Sequence, residues 1–137
     1  MKEIWTTVLN LAKKAASNGD VPVGAVITYK NKIIAKGYNT REKNQSILGH
    51  AEIMAIKKAS KVLSTWKLND CVMYVNLKPC NMCDSVIKQS RISKVYYLVD
   101  KPLQKKEFYS TKIEFWKDEK LNLECKKMLS EFFQKLR

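Results

Sequence analysis

The scarcest residue in this chain is histidine, with His50 the only one, so any imidazole ligand must come from that position. Arginine is nearly as rare. Only Arg41, Arg91 and Arg137 stand among 26 basic residues, and the rest are lysine. Cysteine is limited to positions 71, 80, 83 and 125, of which only Cys80 and Cys83 are close together. That spacing is poor material for the disulfide framework of a small secreted domain and points to a reducing compartment. No apolar run approaches the roughly 20 residues that a membrane span requires. From Met1 to Ala16 the polar residues Thr6, Thr7, Asn10, Lys13 and Lys14 break up any apolar block, so no signal peptide is expected there. A cytoplasmic protein with no membrane segment is expected.

What the chain does have is ordinary bulk and unusual charge. At 137 residues, 45% hydrophobic and 28% charged, it fits a single domain over 1–137 with a real core, and no repeat or linker interrupts it. The formal charge of +13 would draw such a domain toward a polyanion, either nucleic acid or an anionic membrane surface. Because the excess is almost all lysine, a skew that codon bias alone can produce, charge permits a nucleic-acid partner without establishing one.

Apolar spacing predicts a helix over 3–17, carried by Ile4, Val8, Leu11, Ala12 and Ala15 and stopped at Asn18-Gly19. Valine and isoleucine then crowd Gly24 to Tyr29 and Lys32 to Tyr38 around Lys30-Asn31, the pattern of a hairpin. Asn39 to Gly49 is polar and aperiodic, a candidate functional loop. A second helix is expected from His50 to Leu63 and a buried strand from Cys71 to Leu77. A third helix follows over Cys80 to Ser90, with Pro79 suited to its first turn. Val95 to Val99 reads as another buried strand, and the last helix runs from about Lys117 to the end after a lysine-rich connection, Lys101 to Lys112. Alternating strands and helices argue for an α/β layer with parallel crossovers. Cys71, Cys125, Trp5, Trp66 and Trp116 are expected to be packing residues.

Two short motifs carry chemistry, His50-Ala51-Glu52 and Pro79-Cys80-Asn81-Met82-Cys83, and each opens a predicted helix. Helices that follow strands in an open α/β sheet begin at the ligand-binding end of that sheet, so the two motifs should converge. Cys80 and Cys83, three residues apart on a first turn, can turn both sulfurs toward one ion. The positive end of the helix dipole favours the thiolate that binds metal. With His50 they make three ligands. A structural zinc site normally closes with four, whereas three and an open position suit the activation of water. Glu52, two residues after His50, is then placed for general acid–base work.

His-x-Glu followed by Pro-Cys-x-x-Cys is the signature of zinc nucleobase deaminases. Beyond it, Val21-Pro22-Val23-Gly24-Ala25-Val26, His50-Ala51-Glu52-Ile53-Met54-Ala55, Ser90-Arg91-Ile92, Glu124-Cys125 and Phe132-Phe133 resemble bacterial tRNA-specific adenosine deaminases. The resemblance covers most of the chain. It implies a three-layer α/β/α cytidine-deaminase-like fold whose central mixed sheet of about five strands is flanked by helices. It also implies one Zn2+ per subunit on His50, Cys80 and Cys83, and water attack on carbon 6 of the wobble adenine of tRNA, with Glu52 moving protons and inosine as product. Asn39 matches the family position that contacts the target nucleoside. Ala51, Val21 and Leu77 would border the base, and Phe133 would either pack or stack on a flanking nucleotide. A homodimer gripping the anticodon stem-loop is implied as well. The chain departs from the family pattern at Leu98-Val99-Asp100-Lys101-Pro102, which lacks glycine and leads into a shorter connection. It also departs at Thr40-Arg41-Glu42, and at Lys78, where an acidic residue is common. Two other readings remain open at this point: a deaminase of another base or nucleoside, and a zinc-stabilised RNA-binding protein without turnover.

Overall fold

In the computed structural model, residues 2–100 and 111–135 are described. They fall into two compact units, Met1–Leu103 and Gln104–Arg137. The first unit contains α1 (Lys2–Ser17), β1 (Gly24–Tyr29), β2 (Lys32–Tyr38), α2 (Arg41–Asn44), α3 (Ala51–Leu63), β3 (Cys71–Leu77), α4 (Asn81–Gln89) and β4 (Lys94–Val99). The second contains α5 (Glu119–Lys135). Most of the connection expected over 101–112 lies outside the described residues.

The sheet has the order β2-β1-β3-β4. It is mixed, as the resemblance implies, but has four strands among the described residues where about five were expected. β1 pairs antiparallel with both β2 and β3, while β3 and β4 are parallel. Strands β2, β3 and β4 therefore all run the same way. Each of the two connections between them, through α3 and through α4, is a crossover of the kind that puts helices on a sheet face.

Strand alternation sorts the core into two layers. Ala25, Ile27, Met73 and Val75 face one side and pack with Ala51, Ala55, Ile56, Ala59 and Ile87 of α3 and α4. Val26 and Tyr74 face the other side, against Val8 of α1, with Ile4, Trp5 and Leu11 around them. The hairpin turn places Lys30 at φ 51° and Asn31 at φ 65°. Two consecutive positive values make the turn type whose twist matches the strands it joins.

Several expectations are corrected. The polar loop after Asn39 holds a four-residue helix, α2, whose first turn is capped from far away in sequence: Asp20 Oδ1 accepts from the Glu42 N–H at 2.8 Å and Oδ2 from the Lys43 N–H at 3.4 Å. Pro79 precedes the N-cap of α4 and does not sit in its first turn. β4, expected to be buried, is largely exposed, although Tyr96 stacks on Tyr74 at 5.4 Å. Trp5 packs edge-on against Tyr74, but Trp66 and Trp116 are exposed, as is Cys125 on α5, which buries none of its residues. Cys71 is buried as expected.

One close approach fixes where α3 starts. At Gly37 of β2, a Cβ would meet the Ala51 carbonyl oxygen and lie 2.7 Å from the Ala55 nitrogen, both backbone atoms of α3 that have nowhere to go. Gly37→Ala should therefore push the first turns of α3 off the sheet, at a cost of about 2–3 kcal/mol. Thermal melting should show a drop of several degrees, and His50 and Glu52, which ride on the displaced turn, should move with it.

Candidate metal centre

The first turns of α3 and α4 meet at the end of the sheet where β2 and β3 finish. His50 is the N-cap of α3 in extended backbone (φ −88°, ψ 140°), and its side chain makes no capping hydrogen bond to its own helix. Its Nδ1 instead lies 3.8 Å from Cys80 Sγ and 3.4 Å from Cys83 Sγ. Cys80 is the N-cap of α4, and its sulfur accepts from the Cys83 N–H at 3.5 Å, satisfying one of the amides a helix start leaves over. Helix caps that usually attract serine, threonine or aspartate are thus given to metal-binding residue types at both starts.

The three donor atoms lie within 4.8 Å of one another. In a tetrahedron with arms of about 2.0 Å to nitrogen and about 2.3 Å to sulfur, nitrogen and sulfur stand roughly 3.5 Å apart. The two measured separations bracket that value. One imidazole and two thiols are also the nitrogen and sulfur set that zinc prefers, and three protein donors leave one position for a water or substrate. The residues present fit a zinc ion of the water-activating kind.

Glu52 is 4% exposed, in the first turn of α3. It is close enough to Cys83 to act on it. Burial pushes the Cys83 thiol well above its ordinary range, and the negative charges of Glu52 and Cys80 push it further in the same direction. Buried negative charge crowded about a thiol is the complement of a cation.

Asn39 is buried just after β2, and its Oδ1 accepts the Ala51 N–H at 2.9 Å. That bond ties the expected substrate residue to the first residue of α3 and leaves the amide nitrogen as its remaining donor group. The Asn39 N–H in turn donates to the Val23 carbonyl at 3.1 Å. Asn76 completes the frame: its Oδ1 accepts from the Gly24 N–H at 2.9 Å, and its Nδ2 donates to the Pro22 carbonyl at 2.9 Å. The turn that carries Val21 is thereby held beside Asn39. Val21 itself is exposed, Ala51 is fully buried, and Leu77 is half-buried at the end of β3. Phe133, on α5 of the second unit, is exposed and meets Phe132 edge-on at 5.6 Å. Sequence reading missed Asp20 and Asn76, because each acts on backbone distant in sequence and belongs to no short motif. A hollow of about 460 Å³ between β2 and the later turns of α3 is lined by Ile33, Ile34, Ala35, Lys36, Lys58, Lys61 and Val62. It holds none of the residues of the centre.

Comparison with known proteins adds independent findings. The family model described as MafB19-like deaminase matches residues 1–137. The tRNA-specific adenosine deaminase of Aquifex aeolicus is 37% identical over 99% of this chain and 96% of its own length. That of Bacillus subtilis is 38% identical over 92% of this chain and 84% of its own. Among solved structures, the guanine deaminase of Bacillus subtilis has a TM-score of 0.69 at 35% identity, over 72% of this chain and 64% of that one. A tRNA:A34 deaminase studied for A-to-I editing at the wobble position of transfer RNA has a TM-score of 0.68 at 32% identity, over 70% of this chain and 74% of its own.

Proposed function

Because this chain belongs to the MafB19-like deaminases and is similar over nearly its whole length to tRNA-specific adenosine deaminases, we propose that it hydrolyses adenosine to inosine at the anticodon wobble position of tRNA. The observation that carries the reading is the convergence of His50, Cys80, Cys83 and Glu52 at two helix starts in a chain matched almost end to end by such an enzyme.

His50, Cys80 and Cys83 would hold one zinc ion per subunit, which supplies the acidification that makes a water nucleophilic near neutral pH. Glu52 takes the proton of the attacking water and delivers a proton to the amino group leaving carbon 6, so that ammonia departs and the ring carbonyl of inosine remains. Its burial keeps that exchange away from bulk solvent. Asn39, with its oxygen committed to the Ala51 N–H, presents its amide N–H to the nucleoside and so orients the base. Val21, Ala51 and Leu77 supply apolar walls, and Phe133 a surface on which a flanking nucleotide stacks. The net charge of +13 favours the RNA backbone. By family resemblance the working form is a homodimer in the cytoplasm, gripping the anticodon stem-loop; no helix of the described residues is long and apolar enough to cross a membrane.

A tRNA or anticodon stem-loop with adenosine at the wobble position, incubated with zinc-loaded protein and digested to nucleosides, should yield inosine. Absence of inosine from folded, zinc-loaded protein would sink the reading. The similarity to a guanine deaminase favours a second one, deamination of a free purine, and the same protein offered guanine and adenosine tests it. Turnover of free guanine without turnover of the stem-loop would establish that alternative.

A further inference from the structure

Just before the Pro79-Cys80 motif, β3 reaches out of its own ladder with a side chain. The pairing of β1 with β3 runs from Tyr29 opposite Cys71 to Ala25 opposite Val75 and stops there. At the next step the Gly24 N–H donates to Asn76 Oδ1 at 2.9 Å, and Asn76 Nδ2 donates to the Pro22 carbonyl at 2.9 Å. The amide fork straddles Val23 and continues with a side chain the pairing that the backbone has given up. Its orientation is fixed, because the reversed amide would set N–H against N–H at Gly24 and oxygen against oxygen at Pro22.

The bond does not end at the strap. Val23 is buried, and its carbonyl accepts the Asn39 N–H at 3.1 Å. Asn39 Oδ1 accepts the Ala51 N–H at 2.9 Å, between His50 and Glu52. In the other direction β3 leads from Asn76 to Cys80, the N-cap of α4, and on to Cys83. Asn76 thus joins the strand that delivers two metal ligands to the strap that fixes the backbone of Asn39. Asp20 ties the near end of the same strap to α2, so residues 20–24 are held at both ends while Val21 and Pro22 stay exposed. Attack on one ring atom requires the base and the metal to be in register, and a misplacement of about 1 Å can cost roughly 100-fold in rate.

We infer that Asn76 is a positioning residue for the deamination: its amide sets the strap 20–24 against the end of β3 and, through the Val23 carbonyl, places Asn39 relative to the metal centre. This rests on the reading above in which Asn39 orients the base. Asn76 acts through Asn39 and takes no part in the chemistry. Contacts to the RNA backbone dominate affinity, so its loss falls on kcat more than on KM.

The test begins with inosine formation by the unaltered, zinc-loaded protein from a stem-loop with wobble adenosine. If the stem-loop is inert and free guanine reacts, the tRNA reading fails and the same variants are run on guanine. If neither reacts, the inference falls with the deaminase reading. Asn76→Leu, close in shape but without the amide, should lower kcat about tenfold and leave KM for the stem-loop within about twofold, with zinc content unchanged. Ser93→Ala is the control. Ser93 Oγ donates to the Cys71 carbonyl at 2.8 Å, at the opposite end of β3, so its removal can lower Tm but should leave kcat unchanged. Asn39→Ala slows the reaction by itself, and adding Asn76→Leu should cost less than about twofold more in single-turnover rate, because one residue works through the other. Hydrogen exchange at the Asn39 amide should quicken in Asn76→Leu and not in Ser93→Ala. An unchanged kcat, losses that simply multiply in the double variant, an unaltered Asn39 amide, or a rate that falls only as zinc is lost would each overturn the positioning role while leaving the deaminase reading intact.

Discussion

Replacing Glu52 by glutamine should lower the rate of deamination about 10³- to 10⁴-fold while zinc content stays at one per chain and Tm moves by no more than a few degrees. Glutamine keeps the length and hydrogen-bonding shape of the side chain, so the buried pocket next to Cys83 stays filled and polar. What it cannot do is accept and return a proton. The electrostatics add a second signature. The Glu52 charge helps hold the Cys83 thiol above its ordinary range, so neutralising it lets that thiol ionise more readily. The easier ionisation of Cys83 and the lost attraction of the Glu52 carboxylate for a cation act in opposite directions, so Glu52→Gln should still fill with one zinc per chain when the ion is in excess. A merely structural carboxylate predicts the opposite pattern, with lost stability or metal and a rate that follows them. Metal analysis, melting curves and single-turnover rates on one preparation separate the two cases. Retention of more than a tenth of the rate would remove Glu52 from the proton-transfer role.

The parts of the molecule that were legible in the sequence are those written in local signals. The hairpin strands fall where valine and isoleucine crowd around Lys30-Asn31, because a two-residue turn and its flanking runs are decided within a dozen residues. The starts of α3 and α4 were legible to within a residue, since the motifs that carry the ligands also sit at the helix caps. The convergence of His50 with Cys80 and Cys83 followed from topology once two helices were known to leave the same end of a sheet.

What the sequence hid is non-local. α2 looks like loop because a four-residue helix has too few internal bonds to leave a period, and its capping carboxylate, Asp20, arrives from before β1. The bonds of Asn76 to Gly24 and Pro22 span half the first unit and leave no trace in spacing. β4 reads as buried because Val95 to Val99 is apolar, yet composition reports what could be covered and not what covers it. The same holds for Trp66, which lies with Lys67 and Arg91 about its ring and outside the core. Asn39 was found by resemblance. Only the structure supplies the reason its orientation is fixed, a hydrogen bond to the helix that begins at the metal centre.

Cys83→Ser should abolish zinc retention and reduce deamination to background, with a loss of stability that chelation of the unaltered protein reproduces. Cys83 is fully buried, and its sulfur stands 3.4 Å from His50 Nδ1, so the hydroxyl substitute is a harder, poorer ligand in a pocket shaped for sulfur. Zinc binds the folded arrangement and not the unfolded chain, so at a free concentration about 1,000 times its Kd it contributes roughly 4 kcal/mol, and that is what removal takes away. The pH dependence has a definite sign. In the metal-free protein burial, Glu52 and Cys80 keep the Cys83 thiol protonated through the neutral range, and zinc must displace that proton. Zinc affinity should therefore rise with pH, by about tenfold per pH unit for this one proton, and zinc uptake in weak buffer should release acid. Cys125→Ser, altering an exposed thiol on α5, should leave zinc content unchanged. Competition with a chromogenic chelator across pH 6 to 8 reads the slope directly. A zinc affinity independent of pH, or full zinc retention in Cys83→Ser, would remove Cys83 from the ligand set.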